Sequence, residues 1–202
     1  MRPKKILIGS SNLGKIQEIK EVINEFLPEL EVLSLYDFNF KEKPQENGQT
    51  FKENAILKAK FYYEKFKIPT IGDDGGLIIP ALGNEPGVKS RRWPGYEATD
   101  EELIEFLLKK MENVSERTAY LETCVCFYDG KNIICQQEKI KGYIAREPSK
   151  NRIPGYPFRS VFIVEGLNKY YDELNQNEEI FSHRKIATQK LILKVKELFE
   201  MI

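Results

Sequence analysis

The feature that most constrains this chain is its opening unit. Lys4 to Gly9 is a short apolar run that stops at Gly9-Ser10-Ser11-Asn12. A bounded run ending in a Gly/Ser/Asn cluster reads as a buried strand. From Gly14 to Phe26 the period changes, with Ile16, Ile19, Ile23 and Phe26 at helical spacings of three and four. The chain therefore begins as strand, Gly-rich turn and helix. Glu31 to Leu35 can supply a second strand, and Lys41 to Gln49 reads as a polar loop.

The alternation continues. Thr50-Phe51-Lys52-Glu53 matches a capping box, in which threonine and glutamate each satisfy an amide of the first helical turn. The helix that follows puts Ala55, Ala59, Tyr62 and Phe66 on one face, and Pro69 stops it. Thr70 to Ile79 reads as a strand entering a tight turn at Asp73-Asp74-Gly75-Gly76. Gly83 to Gly95 reads as loop, and Thr99 opens a second capped helix to about Met111. Thr118–Tyr128 and Asn132–Ile144 are predicted to pair as a hairpin joined at Asp129-Gly130. Arg152 to Gly155 is loop, Val161 to Val164 a strand, and His183 to Phe199 an amphipathic helix. Mixed helices and strands with crossovers predict an α/β fold with a mixed sheet, in a single domain spanning residues 1–202.

Composition narrows the function. Lys+Arg and Asp+Glu are both 31, so the formal net charge is zero. That argues against a general nucleic-acid binder and leaves a local basic patch open. No apolar run approaches the ~18 residues needed to span a bilayer, and the start is too short for a signal-peptide core. A cytoplasmic protein is expected. The three cysteines, Cys124, Cys126 and Cys135, form no evident disulfide framework and are expected to be buried structural residues. The one histidine, His183, excludes any zinc site with two histidines. A metal here is expected to be held by carboxylates, which suit Mg²⁺ or Mn²⁺.

Four groups of residues carry chemistry. Gly9 to Lys15 satisfies the G-x-x-x-x-G-K part of a phosphate-binding loop, but Ile16 replaces the hydroxyl that would hold Mg²⁺. A phosphate cradle at a helix N-terminus and a plain turn with a solvated lysine both fit. Asp73 and Asp74, backed by Glu46, are adjacent carboxylates whose repulsion is relieved by solvent or by a shared cation; an ordinary turn is the alternative. Lys89-Ser90-Arg91-Arg92-Trp93 is either a phosphate- or base-contacting loop or a solvated face. Ser182-His183-Arg184 either reads a carbonyl-bearing ring or caps the last helix.

Taken in order, these groups resemble the inosine triphosphate pyrophosphatase family. The resemblance rests on Ser10-Ser11-Asn12-Leu13-Gly14-Lys15, the Thr50–Ala59 helix, Asp73-Asp74-Gly75-Gly76-Leu77, the Leu82–Arg92 loop, Arg146-Glu147-Pro148 and Ser182-His183-Arg184. It implies two lobes flanking a deep substrate cleft, and commonly a homodimer. It also implies attack of water on the α-phosphate of non-canonical purine nucleoside triphosphates (ITP, dITP, XTP), giving monophosphate and pyrophosphate. By position, Ser10, Asn12, Lys15 and Lys58 would hold phosphates. Glu46, Asp73 and Asp74 would hold Mg²⁺, with Mn²⁺ as the alternative, and Asp74 would orient or deprotonate the water. Gly75, Arg92, Phe158, Arg159, Ser182, His183 and Arg184 would contact the substrate, with Phe158 available to stack on a purine. Selectivity follows from the carbonyl at ring position six, which accepts from a donor that adenine's amino group would leave unpaired. Such a buried donor costs about 1–3 kcal/mol, or roughly ten- to hundredfold.

The sequence departs from the family at Gly155-Tyr156-Pro157-Phe158-Arg159-Ser160, where Arg159 replaces an aspartate, and at Glu178, which replaces a lysine. A reversed Arg159–Glu178 ion pair would preserve the pocket's shape; independent drift is the alternative. The departures leave room for an altered base preference. A nucleotide-binding regulator without catalysis is the rival from another class.

Overall fold

The computed structural model describes residues 5–175, 177–178 and 182–200. Lys4, read above as the start of the first strand, lies outside them. The elements in chain order are β1 (Lys5–Gly9), α1 (Leu13–Phe26), β2 (Glu31–Ser34), α2 (Phe51–Phe66), β3 (Thr70–Ile79), β4 (Glu85–Pro86), α3 (Asp100–Lys110), β5 (Thr118–Tyr128), β6 (Ile133–Ile144), β7 (Phe162–Val164), β8 (Lys169–Tyr170) and α4 (His183–Glu200). The fold is α/β with a mixed sheet: β1 pairs in parallel with β2 and β3, and β7 pairs antiparallel with β6 and β8. The chain divides into two units. Unit 1 is Met1–Asp74, Thr123–Glu138 and His183–Ile202, and unit 2 is Gly75–Glu122 and Lys139–Ser182. Strands β3, β5 and β6 therefore contribute residues to both.

In unit 1 the strand order is β2-β1-β3-β5-β6. Alternation along β1 sends Ile6 and Ile8 into a core with Ile16, Ile19 and Ile23 of α1 and Ala187, Leu191 and Val195 of α4. Leu7 points the other way and packs with Tyr62 of α2. Both faces of β1 are covered, which is why it reads as an unbroken apolar run. The α1 and α4 face extends along β3 through Ile71 and along β5 through Val125 and Phe127. On the opposite face Gly72 lets α2 approach β3 closely: a Cβ there would lie 2.2 Å from the Ala55 carbonyl oxygen. The α2 capping box forms as expected, with Glu53 N donating to Thr50 Oγ1 at 3.1 Å and Thr50 N donating to Glu53 Oε2 at 3.3 Å.

Unit 2 has its own core, in which Leu103, Ile104 and Leu107 of α3 meet Leu77, Ile79, Phe158 and Phe162. Its capping box at Thr99 and Glu102 also forms. The Arg117 guanidinium donates to the carbonyls of Met111, Ile144 and Ala145, tying the end of α3 to the end of β6.

Three expectations are corrected. Asp73-Asp74-Gly75-Gly76 is not a turn, since β3 runs straight through it to Ile79. Glycine here serves an extended strand whose neighbour, Gly72, lies under a helix. The Gly83–Gly95 segment is not wholly irregular, because it contains β4 and a 3₁₀ helix over Gly87–Arg92. Finally, Cys126 and Cys135 form a disulfide across the β5–β6 hairpin, and the buried Cys124 is outside it. An odd cysteine count says nothing about two cysteines that hairpin register brings face to face.

Candidate active site

The correction at β3 decides the chemistry. On a strand, successive side chains point to opposite faces, so Asp73 and Asp74 do not share one environment. Asp73 is in register with Ile71 and faces α1 and α4; Asp74 is in register with Gly72 and faces α2. Both are buried, at 2% and 7% exposure.

Asp73 meets a ring of cations. Lys15 Nζ of α1 lies 2.6 Å from Oδ2, an ion pair without hydrogen-bond direction. Arg184 Nε of α4 donates to Oδ1 at 2.9 Å, and Thr123 Oγ1 of β5 donates to the same oxygen at 2.8 Å. Arg184 also pairs with Glu18 of α1 at 2.9 Å. Burial alone would raise the Asp73 pKa, but the Arg184 and Lys15 charges outweigh it and hold the carboxyl well below the usual range. Burial pulls the Lys15 ammonium below its ordinary value, and repulsion from Arg184 and Lys58 adds to this against the attraction of Asp73. Asp73 and Glu18 thus balance Lys15 and Arg184, and the cluster fixes Lys15 near the start of α1.

Asp74 has different company. Lys58 Nζ of α2 lies 3.0 Å from its Oδ1 and 2.9 Å from Glu46 Oε2, so one ammonium sits between two carboxylates. Burial works against the Lys58 charge, yet Asp74 and Glu46 overcome it and raise its pKa. Asn54 Nδ2 donates to Asp74 Oδ2 at 3.1 Å, while Asn54 Oδ1 accepts from Gly48 N at 2.8 Å. The Gly48 bond fixes which end of the amide faces Asp74. Asp74 therefore has one oxygen on a cation and one on a preset neutral donor.

At the start of α1, the Asn12 side chain accepts from Lys15 N at 3.1 Å and Ser10 Oγ accepts from Asn12 N at 3.2 Å. Both side chains shape the turn that delivers Lys15. The sequence reading missed Asn54, Thr123 and Glu18. The available signals were an asparagine inside a helix on the alanine face and a threonine amid an apolar strand.

The remaining candidates in unit 2 are spread out. Phe158 is 6% exposed and belongs to the core, with Trp93 against it at 6.4 Å between centroids, so it is not a free stacking surface. Trp93 is a packing residue as well, edge-on to Phe106 at 5.2 Å. Arg92 is exposed at the end of its 3₁₀ helix, and Gly75 is a half-buried strand residue. Arg159 and Glu178 do not pair. The Arg159 guanidinium lies 3.6 Å from the Tyr156 ring centroid and 4.7 Å from that of Tyr171, whereas Glu178 accepts from Lys169 at 2.6 Å. Each charge has found a local partner, so the expected reversed pair is not formed. Ser182 in unit 2, and His183 in unit 1, are buried at 6% and 3%.

Comparison with known proteins places the chain in a family. A dITP/XTP pyrophosphatase of Aquifex aeolicus is 38% identical over 198 residues, covering 93% of this chain and 95% of the relative. One from Bacillus anthracis is 35% identical, covering 97% of this chain and 98% of the relative. Among solved structures, the Staphylococcus aureus Ham1 protein matches with a TM-score of 0.82 at 29% identity, covering 96% of this chain and 99% of that one. A HAM1 protein from Coxiella burnetii matches with a TM-score of 0.83 at 30% identity, covering 96% and 98%. The Ham1 family model matches residues 6–194, which span the lysines, the carboxylates and the arginine just described, and on that match the chain belongs to the Ham1 family.

Proposed function

We propose that this chain hydrolyses non-canonical purine nucleoside triphosphates, dITP, ITP and XTP, to the monophosphate and pyrophosphate. Relatives named dITP/XTP pyrophosphatase along most of their length support the reaction. The observation that carries the mechanism is the convergence of Glu46 and Asp74 on one ammonium. Two carboxylates drawn to one cation form an oxygen-only donor set of the kind Mg²⁺ takes. Glu46 and Asp74 would hold the ion; Asp73 could join only by leaving Lys15 and Arg184. When bound, Mg²⁺ would neutralise charge on the phosphates and polarise the bond to be broken.

The chain's own residues do the rest. Lys15, delivered by the turn at the start of α1, holds phosphate oxygens. Lys58, displaced from between the carboxylates, turns to the phosphates as well. Asp74, its other oxygen fixed by Asn54, orients the attacking water and takes its proton. Asp73 remains ionised and keeps Lys15 and Arg184 in place. We further propose that the 202 residues act as one catalytic domain, since β3, β5 and β6 belong to both units. A homodimer is proposed from the family resemblance, and a cytoplasmic location from the sequence reading above. Among the described residues no helix is long and apolar enough to cross a membrane.

A second reading keeps the chemistry and changes the base preference. It is favoured by Arg159, whose guanidinium is stacked on tyrosines where the family carries an aspartate. One experiment tests both: incubation with Mg²⁺ and each of ITP, XTP, ATP and GTP, with product identification. Monophosphate and pyrophosphate from ITP and XTP, with ATP largely spared, is the expected result of reading the carbonyl at ring position six. GTP shares that carbonyl and reports whether the 2-position is read as well. Pyrophosphate from another nucleotide moves the specificity, and tight ITP binding without turnover overturns the enzyme.

A further inference from the structure

The three cysteines form a cluster that hydrolysis does not use. Cys124 and Cys126 are two residues apart on β5 and share the strand face turned away from Val125 and Phe127, while Cys135 comes from β6 across the hairpin. All three sulfurs lie within 4.8 Å of one another, and Cys124 Sγ is 3.7 Å from Cys126 Sγ. Cys124 and Cys126 are fully buried, and Cys135 is half-buried, which leaves an approach from one side.

We propose that, once the Cys126–Cys135 bond is reduced, these residues form a three-thiolate site for a thiophilic monovalent cation, copper(I). A metal–sulfur distance of about 2.3 Å places the ligands of a trigonal site about 4.0 Å apart, close to the 3.7 Å between the Cys124 and Cys126 sulfurs. Cys135, bonded to Cys126 in the oxidised form, joins them once that bond opens. The donor chemistry fits as well, because thiolates select soft ions. Among the described residues no histidine or carboxylate joins the group. That set suits a three-coordinate ion better than zinc, which takes four ligands in structural sites. The disulfide is the closed form of the site. A thiol reductant supplies two electrons and two protons, the S–S bond breaks, and two thiols result. Each thiol that then binds the ion releases its proton to solvent.

The test uses the whole protein. It is reduced with a phosphine, freed of reductant without oxygen, and titrated with the coloured copper(I)–bicinchoninate complex. The reduced protein should withdraw one copper(I) per chain, and the oxidised protein none. Cys124→Ser should weaken uptake at least tenfold. Cys135→Ala, at a half-buried position, should do the same and serves if the first variant fails to fold by circular dichroism. The proposal is overturned if the reduced protein leaves the dye complex intact, if the oxidised protein competes equally, or if either folded variant binds like the parent. A parallel zinc titration showing equal uptake and equal dependence on Cys124 would overturn the copper assignment.

Discussion

Asp73 and Asp74 differ by one residue in sequence, and the two faces of β3 treat them differently. Asp73 is enclosed by two cationic side chains and a hydroxyl, on the face where α1 and α4 pack. Asp74 shares one lysine with the half-buried Glu46, on the face under α2. The first face fixes a charge, and the second holds the lysine cation that, as proposed above, Mg²⁺ would replace. Two adjacent carboxylates can thus be buried together because the strand separates them, with no turn and no shared ion required.

The comparison can be broken most decisively at Asp74. Asp74→Asn should lower the rate of pyrophosphate release by about 10²–10⁴-fold, the usual contribution of a general base, while thermal unfolding changes little. Asp73→Asn should show the converse emphasis. It takes the carboxylate from between Lys15 and Arg184, leaving Arg184 on Glu18 and Lys15 a buried charge, which costs about 3–5 kcal/mol, read as a drop in denaturation midpoint. If the two variants gave the same pattern, the division of labour between the faces would be wrong.

Acid titration sharpens the same contrast. The folded pKa of Asp73 is depressed, so its stabilisation is complete above its ordinary value of 3.8 and is lost as pH falls below that. The parent protein should lose stability on acidification, and Asp73→Asn should lose less of it. The smallest effect is expected at Asn54. Asn54→Ala frees one oxygen of Asp74 and leaves Gly48 N without its acceptor, a cost of about 1–3 kcal/mol. It should lower kcat roughly tenfold or more with little change in KM, because the residue positions the base rather than the substrate. A pure stability loss at full kcat would make Asn54 structural only.

Local features of this fold were readable in advance because they depend on near neighbours in sequence. The capping boxes at Thr50 and Thr99, the opening strand and helix, and the Asp129-Gly130 hairpin all formed. The Asp73–Gly76 turn failed because glycine is ambiguous: here Gly72 answers the close approach of α2, and only the packed structure reveals that. The disulfide depended on cross-strand register. The Arg159–Glu178 pair failed since both side chains had nearer choices, tyrosine rings and Lys169. Asn54 and Thr123 escaped notice because their role is visible only when two elements meet.

The Asp73–Arg184 contact has a consequence in time. The partners are 111 residues apart, and at about 5–20 residues per second a ribosome needs roughly 5–20 s to add that length. Through that interval the emerging Asp73 has Lys15 but not the guanidinium that completes its enclosure. The face that fixes a charge is therefore finished late in synthesis, whereas Glu46, Asn54, Lys58 and Asp74 emerge together. A nascent chain can bring Lys58 between its carboxylates long before it encloses Asp73, and a chaperone that recognises unfinished chains would find the α1 face still waiting for α4.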